Sequence, residues 1–231
     1  MAYRVKHIFR TVQGEGHWMG RPAVFVRFVG CNVWSGYEAD RERDAARSGA
    51  QCPLWCDTDF TKEGSATYTA TELVQAMRTE GGPIDFCVLT GGEPLLQADA
   101  NLIQALHAAG YFVAVETNGT QSIADHFTAE DDTTHPPDWV VCSPKHPEDD
   151  LVLEWFDELK VVVPDYPPAA YQRFATRARP HTLAGHDAPL LWVQPEDGPR
   201  LEQAQEQAIA WALDHPEWRV STQTHKVLGV A

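Results

Sequence analysis

Positive charge is scarce in this chain. Its 231 residues carry 18 lysines and arginines against 33 aspartates and glutamates, a formal net charge of −15. Such a balance repels phosphate backbones and anionic bilayers, so neither nucleic acid nor a membrane surface is expected as a partner. A small anionic ligand stays compatible with it if a few arginines are placed locally. Long apolar runs are missing as well. No stretch of about 18 apolar residues occurs that could span a bilayer, and Met1-Ala2-Tyr3-Arg4-Val5-Lys6 lacks the apolar centre of an export signal. Cysteine is sparse and odd in number, five residues unevenly placed, which suits a reduced cytoplasm better than a disulfide framework. The expectation is a soluble cytoplasmic protein. No linker, low-complexity tract or internal repeat divides the chain, and with 43% hydrophobic residues it reads as a single domain over residues 1–231.

Three of the cysteines stand together: Cys31, Cys52 and Cys56, spaced C-x20-C-x3-C with no histidine between them. Four thiolates would suit a closed tetrahedral zinc site, whereas three suit an iron–sulfur cluster with one iron left open. Three unrelated thiols are the plain alternative. Trp34 and Trp55 lie close by in sequence, and residues 34–51 form a polar, charged, glycine-containing surface insertion with room for a helical turn.

The remaining pattern is strand alternating with helix, the signature of a parallel sheet. Strands are predicted over Tyr3 to Phe9, Pro22 to Val29, Asp85 to Leu89, Tyr111 to Val115, Trp139 to Cys142, Glu158 to Val163, Leu190 to Val193 and Trp218 to Ser221. The box Thr69-Ala70-Thr71-Glu72 opens a helix through about Thr79. Further helices are predicted from about Asp99 to Ala109, over residues 167–179, and from Pro199 at a first helical position to about Asp214. Cys87 and Cys142 read as small core residues. Nearly every polar, glycine-rich cluster falls just after a strand: Cys31, Thr90-Gly91-Gly92-Glu93-Pro94, Glu116-Thr117-Asn118-Gly119, Ser143-Pro144-Lys145, Gln194-Pro195-Glu196-Asp197-Gly198 and Gln223-Thr224-His225-Lys226. In parallel α/β barrels these strand ends meet at one mouth, where ligands bind. The fold expected is α/β, a partial parallel β/α barrel. Two features stay open on these grounds. Thr11-Val12-Gln13-Gly14-Glu15-Gly16 is a ligand-facing loop or an ordinary turn. Arg27, inside an apolar strand, pairs with an internal acid or with a ligand carboxylate.

With these residues in view, the chain resembles the radical S-adenosylmethionine superfamily and, within it, the 7-carboxy-7-deazaguanine synthases of queuosine and deazapurine biosynthesis. The matching stretches run through the whole chain in order: the 11–16 loop, Gly20-Arg21-Pro22-Ala23-Val24-Phe25, Cys31-Asn32-Val33-Trp34-Ser35-Gly36, Cys56-Asp57-Thr58-Asp59-Phe60, the strand-end clusters above, and Glu158-Leu159-Lys160-Val161-Val162. The spacing departs from the family, which usually has a shorter first interval and ends in C-x2-C. Loop-closure cost grows slowly with length, so the longer insertion is tolerated.

The resemblance implies a site. Cys31, Cys52 and Cys56 would hold a 4Fe–4S cluster whose open iron chelates S-adenosylmethionine. Gly92 and Glu93 would lie by its methionine part, Glu116 and Asn118 by its ribose. Trp55, Asp57, Ser143, Pro144, Lys145, Gln194, Pro195, Glu196 and Asp197 would hold the rest. The substrate, 6-carboxy-5,6,7,8-tetrahydropterin, would be gripped by Val12, Gln13, Gly14, Glu15, Arg27, Thr90, His225 and the terminal Ala231. Its carboxylate would share a Mg2+ ion with Thr58. The implied reaction is hydrogen abstraction by a 5′-deoxyadenosyl radical, ring contraction and loss of ammonia. Gln13, Glu15, His225 and Lys226 are candidates for the proton traffic, with none assigned as catalytic. A flavodoxin-like or other reductant and a homodimer are the implied partners. Two rival functions remain: an activase that installs a glycyl radical on a partner protein, and a non-catalytic zinc or iron–sulfur protein. The second leaves the strand-end clusters unexplained.

Overall fold

The computed structural model describes residues 2–49, 56, 58–129, 133–177, 179 and 188–230. Nine strands form one sheet: β1 Tyr3–Val12, β2 Pro22–Phe28, β3 Ala66–Tyr68, β4 Phe86–Gly91, β5 Phe112–Thr117, β6 Trp139–Cys142, β7 Glu158–Val163, β8 Leu190–Pro195 and β9 Trp218–Val220. Their spatial order is β3-β1-β2-β4-β5-β6-β7-β8-β9. From β2 to β9 every neighbouring pair is parallel. Strand β1 runs antiparallel between β2 and β3. The sheet is open, with β3 and β9 as its edges. This is the partial barrel expected, with one unanticipated strand. Ala-Thr-Tyr at β3 is too short to show an alternation, and its place comes from pairing with Tyr3–Val5.

Among the described residues six α-helices accompany the sheet: α1 Arg41–Ser48, α2 Ala70–Gly81, α3 Ala100–Ala108, α4 Ile123–Phe127, α5 Leu201–Asp214 and α6 Thr224–Leu228. Helix α2 starts where the sequence says it should. The Thr69 side chain accepts from the Glu72 amide while the Glu72 carboxylate accepts from the Thr69 amide. Replacing Thr69 with alanine is therefore expected to lower stability by about 1 kcal/mol, measured as the midpoint shift of a urea melt with unchanged slope. Two expectations need correction, and the helical turn allowed for in the insertion is found. Where a helix over 167–179 is expected, the structure has two short 3-10 turns, Pro168–Tyr171 and Phe174–Thr176, and the Phe174 amide at the start of the second is taken out of a helical ladder by the Glu148 carboxylate, to which it donates. Helix α5 begins at Leu201 with Arg200 at its N-cap, so Pro199 precedes the helix and is not at its first position. The insertion over 34–51 carries a two-turn helix, α1, with Asp44 fully buried.

The two faces of the sheet divide the labour. One face packs Val24, Val26, Leu89, Val113, Val115, Leu159 and Val161 against Leu73, Met77, Leu102, Ile103, Leu106, Ala204 and Ala208 of the helices. Cys87 and Cys142 are buried there, as read from sequence. On the other face, side chains two residues apart change character along each strand. They begin apolar: Ala23, Phe86, Val88, Phe112, Ala114, Trp139, Val141 and Leu190 cluster at the strand beginnings, plugged by Trp18. Trp18 lies edge-on to Trp139 and Phe112, both with ring centroids 5.3 Å away. The same inward rows then turn polar toward the strand ends, Thr90 after Val88, Glu116 after Ala114 and Gln194 at the end of β8, while on β7 the row is already charged at its start, with Glu158 before Lys160. A dry floor and a polar mouth follow from this period-two pattern alone.

Candidate active site

Two adjoining cavities open above that floor. The first, about 280 Å³, is lined by Cys31, Trp34, Cys56, Gly92, Asn118, Ser143, Lys145, Gln194, Glu196, Asp197 and Lys226, among others. The second, about 330 Å³, is lined by Val12, Gln13, Gly14, Arg27 and His225, with His7, Phe9, Phe25 and Asp59. Glu15, Thr58, Thr90, Glu116 and Gln223 line both, which makes the two continuous. Residues from the first strand to the last helix, His7 to Lys226, thus converge as the strand-end argument predicts. Cys52, Trp55, Asp57 and Ala231 lie outside the described residues.

Cys31 leaves β2 through Gly30, whose φ is +94°. The Gly30 amide donates to the Phe60 carbonyl at 3.0 Å, and the Gly30 carbonyl accepts from the Glu93 amide at 2.9 Å. The Cys31 sulfur accepts the Val33 amide at 3.4 Å, while burial pushes its thiol up to about 11. Gly92 lies against this turn: a Cβ there would stand 2.1 Å from the Gly30 carbonyl oxygen. Glu93 is differently placed from the expectation. It is fully buried and lines neither cavity. Its carboxylate accepts from the Leu95 amide at 3.1 Å, the Thr117 hydroxyl at 2.8 Å and the Asn118 amide at 2.7 Å. Burial raises it to about 7. Glu93 thus laces the end of β4 to the end of β5 and braces the loop beneath Gly92.

Asn118 reaches the first cavity while its Nδ2 donates to Asn32 Oδ1 at 2.9 Å. The Lys145 ammonium donates to the Ser143 hydroxyl at 3.0 Å. Pro144 and Pro195 line neither cavity and act as backbone spacers between residues that do. Glu196 is bound by Arg200 at 2.8 Å and Asp197 by Lys226 at 2.5 Å. In the second cavity Arg27 is half-buried, with its guanidinium 5.8 Å from the Phe9 ring centroid. His225 lies so close to Gly14 that a Cβ there would meet its ring at 1.9 Å. Helix α6 is held in that position by the Thr224 amide and hydroxyl, both donating to the Gly14 carbonyl.

Between the cavities sits a charged group that sequence reasoning left out. The Lys160 ammonium pairs with Glu15, and both are nearly buried. Burial alone would raise the Glu15 carboxyl, but the Lys160 charge and hydrogen bonds from Lys160 and Gln223 hold it at about 2. Burial opposes the charge on Lys160, and the carboxylates of Glu116 and Glu15 overcome it and raise its pKa. Gln13 Nε2 donates to Glu116 at 3.0 Å, and Gln194 and Gln223 donate to Glu15 at 3.1 and 2.8 Å. Lower still, Glu158 accepts from the His17 amide at 2.9 Å and the Trp139 indole at 2.5 Å, and burial raises it to about 7. The signal for Lys160 was present in the sequence. A lysine inside Leu159-Lys160-Val161-Val162-Val163 poses the same question as Arg27 inside its strand.

No group of three His, Cys, Asp or Glu side chains arranged for a metal ion occurs among the described residues, and no helix among them is long and apolar enough to cross a membrane. No protein-family model matches the chain. Full-length relatives do. It is 44% identical over 237 residues to the 7-carboxy-7-deazaguanine synthase of Bradyrhizobium diazoefficiens, with 100% of each chain covered. It is 42% identical over 239 residues to the 7-carboxy-7-deazaguanine synthase of Bordetella pertussis, again over 100% of each. The crystal structure of QueE from Escherichia coli superposes with a TM-score of 0.67 at 22% identity, covering 96% of this chain and 94% of that one. That likeness carries the fold, an α/β partial barrel with a mostly parallel sheet. From these full-length identities, the chain belongs to the 7-carboxy-7-deazaguanine synthase family.

Proposed function

We propose that this protein is a radical S-adenosylmethionine lyase that converts 6-carboxy-5,6,7,8-tetrahydropterin to 7-carboxy-7-deazaguanine with loss of ammonia. One observation carries the reading: a cavity holding two cysteines is continuous with one holding a half-buried arginine, and Thr58, Thr90 and Glu116 border both. A cofactor held in the first cavity would thus lie directly beside a carboxylate-bearing ring held in the second.

The residues fit the cofactors. Cys31 and Cys56 face one cavity, and the Val33 amide already donates to the Cys31 sulfur, as thiolates in such sites require. Cys31, Cys52 and Cys56 would hold a 4Fe–4S cluster. S-adenosylmethionine would lie along Gly92, Asn118, Ser143, Lys145, Gln194, Glu196 and Asp197, with Trp55, Asp57 and Glu116 beside it. Bound together, these groups supply the one-electron chemistry. The protein's own part is to exclude water, orient and hold protons. The aromatic floor under Trp18 closes the cavity from below. Arg27 offers its fork to the substrate carboxylate, with Val12, Gln13, Gly14 and Thr90 around the ring; the family resemblance adds Ala231, which lies outside the described residues. Thr58, which lines both cavities, would help hold Mg2+, which would supply positive charge beside that carboxylate.

The geometry narrows the proton candidates. Gln13 is an amide held by Glu116 and by the Glu15 amide. Glu15, held at about 2, is ionised near neutrality and anchors Lys160. Lys226 lines the first cavity and pairs with Asp197. His225, in the second cavity beside Gly14, is the group left to exchange a proton with the substrate. A flavodoxin-like reductant and a homodimeric state complete the proposal.

The test is anaerobic turnover of reconstituted protein with dithionite, S-adenosylmethionine, magnesium and 6-carboxytetrahydropterin, with the product identified by mass spectrometry. Carboxydeazaguanine is expected, lost in Cys31→Ala. In Arg27→Ala, kcat/KM is expected to fall by about 10²–10³-fold, the cost of leaving a carboxylate without its charged partner. If the cofactor is cleaved while the pterin returns unchanged, the substrate is wrong.

A further inference from the structure

The insertion that lengthens the interval between the first two cysteines is not a passive spacer. It is folded: helix α1 is anchored by Asp44, fully buried, which accepts the Ser35 amide at 2.8 Å. Gly36, with φ +88°, turns the chain against Phe60 and Thr61. These contacts place the first residue of α1, Arg41, at the rim of the cysteine cavity. Only 12% of its side chain is exposed. Its guanidinium stacks 4.1 Å from the centroid of Trp34, a lining residue of that cavity. Its Nη2 donates to the carbonyl of Cys56 at 3.3 Å, and its Nε is held by Glu38 at 2.6 Å. Trp34 in turn meets Phe60 edge-on, at 5.5 Å between ring centroids.

We infer that Arg41 is a positioning residue for the cluster loop, fixing the backbone at Cys56 and setting a permanent positive charge beside the cysteines. The inference rests on the proposed function, since it presumes that Cys31 and Cys56 hold a cluster. Its chemistry follows from the guanidinium. A planar cation can cover an indole face and donate in its own plane at once, which a lysine ammonium cannot do. Orienting the last ligand from outside is how outer partners secure a metal site. A fixed cation nearby also favours the more negative, reduced cluster.

Three substitutions separate these roles in the full-length reconstituted protein. Arg41→Ala removes both donor and charge, Arg41→Gln keeps a donor without charge, and Arg41→Lys keeps the charge without the planar face. Iron release to a chelator is followed by loss of visible absorbance, and the midpoint potential by a redox titration read with electron paramagnetic resonance. Arg41→Ala is expected to release iron about tenfold faster or more and to shift the potential negative. Arg41→Gln is expected to share the potential shift, and Arg41→Lys to keep the wild-type potential while still releasing iron faster. Arg47→Ala, an exposed change on the same helix, is expected to alter neither. Wild-type release rate and potential in Arg41→Ala would overturn the inference while leaving the proposed function intact. If Arg41→Ala does not fold, equal potentials in Arg41→Gln and Arg41→Lys overturn it instead. A wild-type protein that assembles no cluster refutes the proposed function itself, and this inference with it.

Discussion

Gly92→Ala is expected to lose iron and turnover together. An added methyl at Gly92 would lie 2.1 Å from the Gly30 carbonyl oxygen, 2.6 Å from the Gly30 carbonyl carbon and 2.7 Å from Cys31 Cβ. Two of these atoms are backbone, so no rotamer change relieves the contact. The ends of β2 and β4 would have to separate, against the Glu93 amide bond to Gly30 and the parallel pairing of Phe28 with Gly91. Overpacking of this kind costs about 1–3 kcal/mol, and the displaced residue is a cluster ligand. A shift of about 1 Å at a reacting centre lowers rates by about 10²-fold. Iron per chain and product formation should both fall steeply, with a urea midpoint lowered by the stability cost. Gly198→Ala supplies the comparison, since its nearest new contact would be 4.0 Å away. It should melt like the wild type. A Gly92→Ala protein with wild-type iron content would show that the loop yields freely and that this close approach has no bearing on the cluster.

The contrast between Gly92 and Glu93 shows what could be read from the chain and what could not. Both stand in one strand-end cluster, and sequence places them side by side near a ligand. Only the folded backbone shows that Gly92 abuts Cys31 while the Glu93 carboxylate turns inward to Thr117 and Asn118. Strand positions were legible because alternation and apolar runs repeat over several residues, as in Phe86 to Gly91 and Glu158 to Val163. The β3 strand was not, since three residues carry no period and its identity comes from a partner strand more than 60 residues away. Helix α2 announces itself through its capping box. Residues 167–179 look helical by composition, yet a carboxylate from outside the segment, Glu148, takes the Phe174 amide, and the described residues there form 3-10 turns. For the site, convergence at the mouth was predictable because parallel strands end on one side. Which inward side chains satisfy one another was not: the links Lys160–Glu15, Gln194–Glu15 and Gln13–Glu116 join residues more than 100 positions apart. The Arg41 contact to Cys56 is of the same kind, hidden inside a stretch whose composition says only that it is polar.

Lys160→Met is expected to destabilise the protein by about 3–5 kcal/mol at pH 7, the cost of breaking a buried ion pair by removing one partner. The lysine side chain is 5% exposed and that of Glu15 14%, so water cannot screen the charge left behind. Glu116 and Glu158 also lie within its field, and without it three carboxyl groups face one another. The pH dependence has a definite sign. In the wild type the folded-state value of Glu15 is lowered from 4.5 to about 2. Its contribution is therefore complete above about pH 4.5 and lost as pH falls through about 2, and a shift of that size corresponds to about 3 kcal/mol. Lys160 is raised, so its contribution holds throughout the acid and neutral range and is lost only as pH rises past its folded value. Glu158, raised by burial to about 7, acts oppositely: stability falls as pH rises from about 4.5 to 7, in both proteins. In Lys160→Met, Glu15 keeps its burial and loses its partner, so its carboxyl rises and takes up a proton on mild acidification. The stability gap between wild type and variant should then be widest at pH 7 and narrow toward pH 4, as read from urea melts at each pH. Glu15 also anchors Gln194 and Gln223, so the variant should raise the KM for the pterin more than it lowers kcat. Adding Glu15→Gln to Lys160→Met removes the stranded charge and should recover a large part of the lost stability, since replacing both partners costs less than orphaning one. A gap that is the same at pH 4 and pH 7, with no recovery in the double variant, would mean that Lys160 serves through packing alone and that the charge between the two cavities holds nothing in place.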